Sequence, residues 1–334
     1  MRFYTRTHKH YCGIDLHARF VYICILDQDG EVLLHRKLRC SPEEFLPAIA
    51  PYREDLVVAV ECIFTWYWIA DLCSEESIAF VLGHALYMRA IHGAMLLRGG
   101  LMPQAYVYPP EMRATRDLMR RRLHFVRHRG QLLAHIQNTH HQYNRPTPGK
   151  RISYRSNRDG IGAGFEDVSI RESLAADLAL INHYEVVIQD LEAAVVRRAK
   201  IHKPQSFQLL RSIPGTGKVL ALTILYEIHD IRRFEKVGQF ASYSRLVKCQ
   251  KTSVGKIQGS GGAKIGNAYL KWAFSEAAVL FLAKCPEGKT LFARIERKHG
   301  KGKAMSILAH KLGRAVYFML ARKKAFDLEK FLRS

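Results

Sequence analysis

No segment of this chain approaches the roughly 20 continuous apolar residues that a membrane-spanning helix requires, so the sequence offers no candidate span and no membrane partner. Its opening, MRFYTRTHKH, has the charge but not the apolar run of a signal peptide. Together these absences lead to the expectation of a soluble, cytoplasmic protein. Zinc-finger spacing is missing as well. The seven cysteines, at 12, 24, 40, 62, 73, 249 and 285, form no Cys-x-x-Cys pair and have no histidine at the usual ligand interval. They are expected to be reduced, buried thiols. Acids are scarce beside bases, 30 against 52, which leaves a net charge of +22 on 334 residues. A surplus that large repels itself unless a polyanion neutralises it, and nucleic acid is the natural partner.

What is present suggests an α/β domain followed by helices. Tyr11 to Leu16 and Phe20 to Leu26 read as strands, and Asp27-Gln-Asp-Gly30 turns into a third at Glu31 to Leu38. Ser41-Pro-Glu-Glu44 is an N-cap with proline and acids in the first turn of a helix ending near Tyr52. Leu56 to Glu61 is a short apolar run suited to a strand buried on both faces; a helix over Thr65 to Cys73 and a strand over Ile78 to Leu82 follow. The order βββαβαβ is that of a ribonuclease-H-like mixed sheet. From Glu111 the pattern becomes helical, with Met112, Met119, Val126 and Leu133 recurring every seven residues, as do Leu174, Ile181, Ile188 and Val195 further on. These two long helices can form an antiparallel hairpin, an intersubunit coiled coil or part of an intramolecular bundle. Residues 144–164, rich in Pro, Gly and Arg, read as a basic loop between them. The expected domains are therefore 1–110, 111–203 and 204–334.

Several constellations could carry chemistry. Asp15 lies in the first strand and Glu61 closes the fourth, so in such a sheet they stand side by side, and two close carboxylates call for a hard cation such as Mg²⁺. Arg113, Arg116, Arg120, Arg121 and Arg127 crowd one helix and are candidates to track phosphates. Ser212-Ile-Pro-Gly-Thr-Gly-Lys218 resembles a helix-hairpin-helix turn, in which Gly215, Gly217 and Lys218 let backbone N–H groups approach a phosphate. It is no P-loop, because Lys218 precedes Val219 and Ser212 stands where the earlier glycine belongs. Residues 248–264 form a polar Gly/Ser/Lys loop in which Thr252, Ser253 and Ser260 lie among Lys251, Lys256 and Lys264. A serine attacking phosphorus needs such cations and such small neighbours.

Six segments in order carry a resemblance over nearly the whole chain: Gly13-Ile-Asp-Leu-His17, Ala59-Val-Glu61, His84 to Gly93, Leu97 to Pro109, Ser212 to Gly217, and Phe240 to Val247. They resemble the transposases of the insertion-sequence 110 family, its 1111 subgroup especially. The resemblance implies a RuvC-like domain with four acids, a helical coiled-coil region, and a helical C-terminal domain whose serine becomes joined to DNA. It further implies Mg²⁺, a structured noncoding guide RNA, DNA as substrate, a homodimer or homotetramer, and a place at the bacterial nucleoid. Carried over by position, Asp15 and Glu61 are the first two acids and metal ligands, and Ser253 is the nucleophile, with Thr252 and Ser260 as alternatives. One departure stands out. Where the family continues through a lysine-rich Asn-Asp-x-x-Asp helix, this chain passes from His92-Gly-Ala-Met95 straight to Leu96, and both later aspartates are absent. The expectation is a chain that folds and binds nucleic acid but recombines DNA poorly. A noncatalytic nucleic-acid-binding remnant and a metal-only junction nuclease are the competing readings.

Overall fold

A computed structural model describes residues 2–84, 89–146, 148, 151–247, 250–253, 256–260 and 266–333, with 250–253 and 256–260 described as backbone. The chain divides into two compact units, Met1–Pro110 and Glu111–Ser334.

The first unit contains β1 (Phe3–Tyr4), β2 (His10–Leu16), β3 (Phe20–Leu26), β4 (Val32–Arg39), α1 (Pro42–Ile49), β5 (Leu56–Glu61), α2 (Tyr67–Glu75), β6 (Ala79–Gly83), α3 (Ala90–Arg98) and β7 (Met102–Pro103). Five of the strands form one mixed sheet in the order β4-β3-β2-β5-β6. The β2–β3–β4 meander is antiparallel, while β5 and β6 run parallel to β2. The Asp27 carboxylate sets the β3–β4 turn by accepting from the N–H groups of Asp29, Gly30 and Glu31. Ser41 caps α1 as its sequence suggests, its hydroxyl accepting from Glu44 N–H. Helix α1 ends at Ile49, short of Tyr52, because Ala50–Asp55 tightens into a 3-10 turn that delivers the chain to β5. The short β1–β7 ladder has no signal in the sequence.

Because β5 is covered on both faces, Leu56 to Val60 are all buried. Strand alternation divides the unit's core into two layers. Ile14, Leu16, Ile23, Val58 and Val60 pack under α1 and α2 with Phe45, Ile49 and Ile69. On the other face, Val57 and Ala59 meet Leu97, and Cys24 and Leu26 meet Ala90 and Ala94 of α3.

In the second unit, α4 (Pro110–Gln142) and α5 (Val168–His202) form a long pair. Arg122 meets Glu192 at 2.6 Å, Arg129 meets Glu185 at 3.5 Å, and His135 meets Asp177 at 2.6 Å. Position rises along one helix as it falls along the other, so the pair is an antiparallel hairpin. The seven-residue repeat Leu174, Ile181, Ile188 and Val195 is buried within this single chain. After α5 come α6 (Pro204–Arg211), α7 (Lys218–Ile228), α8 (Val237–Tyr243), β8 (Gln250–Ser253), β9 (Lys256–Ser260), α9 (Ala268–Lys284), α10 (Pro286–His299), α11 (Lys301–Arg322) and α12 (Leu328–Arg333). Every residue of α7 from Leu220 to Ile228 is buried, as befits a helix at the centre of a unit. Met112, Met119, Val195 and Ala199 share its core, so the root of the α4–α5 hairpin and the C-terminal helices are one body.

Two expectations need correction. The polar stretch expected as an irregular loop contains a two-stranded antiparallel hairpin, β8–β9. The thiols are not uniformly buried: Cys12, Cys24, Cys73 and Cys285 are, whereas Cys40 is half-buried, Cys62 is exposed, and Cys249 lies outside the described residues. Burial pushes the Cys73 thiol up to about 12, which keeps it protonated and inert.

Candidate functional site

The alternation that buries Cys12, Ile14 and Leu16 beneath α1 and α2 turns Gly13 and Asp15 to the opposite face of β2. The same alternation puts Val57, Ala59 and Glu61 on that face of β5. Since Ile14 pairs with Val60 in parallel register, Asp15 and Glu61 occupy the next rung, at the carboxyl ends of two adjacent central strands. Both are only partly buried. His17 Nε2 lies 3.5 Å from Asp15 Oδ1. Across β3, Tyr22 is the residue opposite Asp15.

Helix α3 covers this face at close range. A Cβ on Gly13 would fall 1.9 Å from the Ala90 carbonyl oxygen and 2.4 Å from Ala94 N, so β2 can touch the helix backbone only through a glycine. Helix α3 also runs unbroken across Ala94 and Met95, and it contains no acid. Among the described residues no group of three or more His, Cys, Asp or Glu side chains converges to hold a metal. Asp15 and Glu61 supply hard oxygen donors of the kind an oxygen-seeking divalent cation takes.

Ser253 belongs to the second unit. It pairs with Lys256 at the turn end of the β8–β9 ladder, and Thr252 pairs with Ile257. Ser260 pairs with Gln250 at the root, and Lys251 pairs with Gly259. Lys264 lies outside the described residues. The two chain ends that carry this segment are held together: Asn267 N–H donates to the Tyr243 carbonyl at 2.6 Å, and Asn267 Nδ2 donates to Glu227 Oε2 at 2.7 Å. Asn267 Oδ1 accepts from the N–H groups of Tyr269 and Leu270, capping α9.

The arginines of α4 divide by direction. Arg113 is 3 % exposed, and Arg116 donates to Glu227 Oε2 at 3.2 Å. Arg120 grips both oxygens of the same carboxylate, at 2.6 and 2.9 Å, and its guanidinium lies over the Tyr269 ring. These three face inward, because α4 is packed into the unit along this stripe. Arg121 and Arg127 remain exposed to solvent. Similarly, Gly215 (φ +80°) serves packing: a Cβ there would lie 2.5 Å from the Leu280 backbone of α9. Gly217 and Lys218 stay open at the start of α7, where no side chain caps the helix.

Glu227 is the residue that sequence reasoning missed. Burial pushes its carboxyl up, but the Arg120 hydrogen bond, the charges of Arg116 and Arg120, and Asn267 outweigh that and hold it below its ordinary value. The available signal was a lone acid inside the apolar run Leu220-Ala-Leu-Thr-Ile-Leu-Tyr-Glu-Ile228, since a carboxylate so placed must have partners.

Residues 207–293, from α6 into α10, match the family described as Transposase IS116/IS110/IS902. Over 94 % of this chain and 97 % of the relative, the sequence is 23 % identical to a probable family 20 transposase of Pseudomonas aeruginosa. It is 30 % identical over 152 residues, 44 % of this chain and 41 % of the relative, to the transposase for insertion sequence element IS1111A of Coxiella burnetii. An uncharacterised protein of insertion element IS110 from Streptomyces coelicolor is 29 % identical over 147 residues, 44 % of this chain and 35 % of that protein.

Proposed function

We propose that the chain is an insertion-sequence transposase that exchanges DNA strands through a serine, with Ser253 as nucleophile and Asp15 and Glu61 as its carboxylates. The observation that carries this reading is the adjacency of Asp15 and Glu61 on one face of the sheet, in a chain whose relatives are named transposases. The strand order β4-β3-β2-β5-β6 supports reading the first unit as ribonuclease-H-like and RuvC-like. In this scheme Asp15 and Glu61 would hold a Mg²⁺ ion, which would supply positive charge to the phosphate under attack. The Ser253 hydroxyl attacks phosphorus and forms a phosphoserine ester, its proton ending on the strand end that leaves as a hydroxyl. The ester conserves the bond energy for rejoining, as hydrolysis would not. Lys251, Lys256 and Lys264 offset the developing charge, while Lys218, Arg121 and Arg127 hold backbone phosphates. A structured guide RNA and assembly of two or four subunits complete the scheme, and the charge of +22 suits a second polyanion.

Activity is set low by the acidic site itself. The segment in which the family resemblance calls for two further aspartates is α3, and its residues, Ala90 to Arg98, include no acid. This favours a second reading, a chain that binds nucleic acid without cutting it. A denaturing gel after incubation with element-end DNA, RNA and Mg²⁺ separates the outcomes. A trace of covalent protein–DNA adduct, abolished by Ser253→Ala, is the expected result. Free cut ends without adduct would mean a metal-only nuclease, no product would mean a binding protein, and adduct lost only with Ser260→Ala would move the nucleophile.

A further inference from the structure

Antiparallel helices are commonly joined by about 2–8 residues, but α4 and α5 are joined by residues 143–167. This connection is built rather than merely long. Arg158, 5 % exposed, lies at its centre. Its Nε donates to the Ile152 carbonyl at 2.9 Å, Nη2 to the Ser153 carbonyl at 3.1 Å, and Nη1 to Asn182 Oδ1 at 2.6 Å and Glu185 Oε2 at 3.0 Å. Nη2 also pairs with Glu185 Oε1. That hydrogen bond holds the Glu185 carboxyl below its ordinary value. Beneath the loop, Ile152, Ile161 and Phe165 are buried against Ile136, Leu174 and Ile181. Burying an ion pair is a poor route to stability, since its desolvation offsets its attraction; what this one does is tie the Ile152 and Ser153 carbonyls and α5 to one guanidinium, which sets the shape of residues 152–158.

That shape displays a particular surface. The Tyr154 N–H donates to the Arg151 carbonyl at 3.1 Å, and Asn157 Nδ2 donates to the same oxygen at 3.0 Å. The resulting turn gathers Arg151, Tyr154 and Arg155, all exposed, with Tyr154 at 60 %. Among the described residues neither arginine makes an ion pair within 4 Å, although Arg155 lies within electrostatic reach of Glu185. An exposed aromatic residue with exposed arginines next to it and three positions before it in the chain matches a strand with an accessible base face and neighbouring phosphates. Duplex DNA keeps its base faces stacked, so it offers the phosphates but not the ring's partner.

We propose that the tip of the α4–α5 hairpin binds unpaired nucleotides, Tyr154 stacking on a base and Arg151 and Arg155 holding the adjacent phosphates. This rests on the reading of the chain as a nucleic-acid-binding protein and extends it to a site outside the segments that carry the family likeness. The test uses the full chain and three probes of one mixed sequence: single-stranded DNA, single-stranded RNA and duplex DNA. Tyr154→Ala should weaken binding to a single-stranded probe by about tenfold and leave duplex binding within about twofold, while Tyr154→Trp retains affinity. The pair Arg151→Gln and Arg155→Gln should lower the salt dependence of single-strand binding. Which of the two single strands responds identifies the source of the nucleotides. Equal losses on duplex and single strands, or no loss on either, overturn the tip while leaving nucleic-acid binding in place. A parent chain that binds none of the probes overturns both. All three side chains are exposed, so unchanged melting temperatures verify that the variants fold.

Discussion

The two units handle carboxylates in opposite ways. Glu227 is 2 % exposed and saturated by two guanidinium groups and an amide, so nothing remains for an ion or a substrate. Asp15 and Glu61 stand beside each other at the carboxyl ends of two central strands, like charge next to like, with the His17 imidazole 3.5 Å from Asp15. A carboxylate that must stay charged in a core is surrounded by protein donors. A pair left partly open at the ends of parallel strands is suited to a ligand from outside.

The contrast can be broken most severely at Glu227. Glu227→Ala leaves the Arg116 and Arg120 charges without their shared partner and should cost about 3–5 kcal/mol, read from urea or thermal unfolding. Its acid limb is equally specific. The folded-state pKa is depressed, so the contribution of Glu227 is complete above the unfolded glutamate value of about 4.3 and fades as pH falls through the folded value. Glu227→Gln should flatten the stability curve below that point and leave its shape at neutral pH. Gly13→Ala comes next: its Cβ would force α3 off β2, at about 1–3 kcal/mol by the usual cost of overpacking. A measured effect near zero would mean that the helix moves freely on the sheet. At the open pair, Asp15→Asn should change stability by no more than about 0.5 kcal/mol, because it removes repulsion as well as contacts. The same substitution should abolish any rise in melting temperature that Mg²⁺ gives the parent chain. The smallest effect belongs to Arg121→Gln: unfolding unchanged within about 0.5 kcal/mol, with the salt slope of nucleic-acid binding lowered by about 1.

The strands of the first unit were legible because their signals are local: an Asp-Gly turn, an N-cap serine, and an apolar run that must be covered on both faces. The adjacency of Asp15 and Glu61 followed from strand order alone. The arginines of α4 were misleading for the converse reason. Composition gives the charge of Arg113, Arg116 and Arg120 but not the side of the helix that faces Glu227, more than a hundred positions away. Gly215 was likewise read for the phosphate chemistry of its turn, when its conformation answers to the Leu280 backbone of α9. The β8–β9 strands escaped notice because Gly, Ser and Lys have low strand propensity, and pairing across a turn is what orders them. Arg158 was hidden inside a segment whose composition reads as loop, since the partners that bury it, Asn182 and Glu185, lie on the following helix.

The tie between Tyr243 and Asn267 has a bearing on how such a chain can change over time. With Tyr243 and Asn267 one hydrogen bond apart, 2.6 Å from N–H to carbonyl, the intervening segment, residues 244–266, leaves the core and returns to it at one place, with Leu246 packed against the core at its start. The entropy of closing a loop grows only with the logarithm of its length, so doubling an inserted segment costs about 0.6 kcal/mol. On loop closure alone, a change in the length of the excursion between Leu246 and Gly266 costs the helices around α7 little. Length, unlike the identity of Ser253 or of the core side chains, is the cheap variable in this part of the protein.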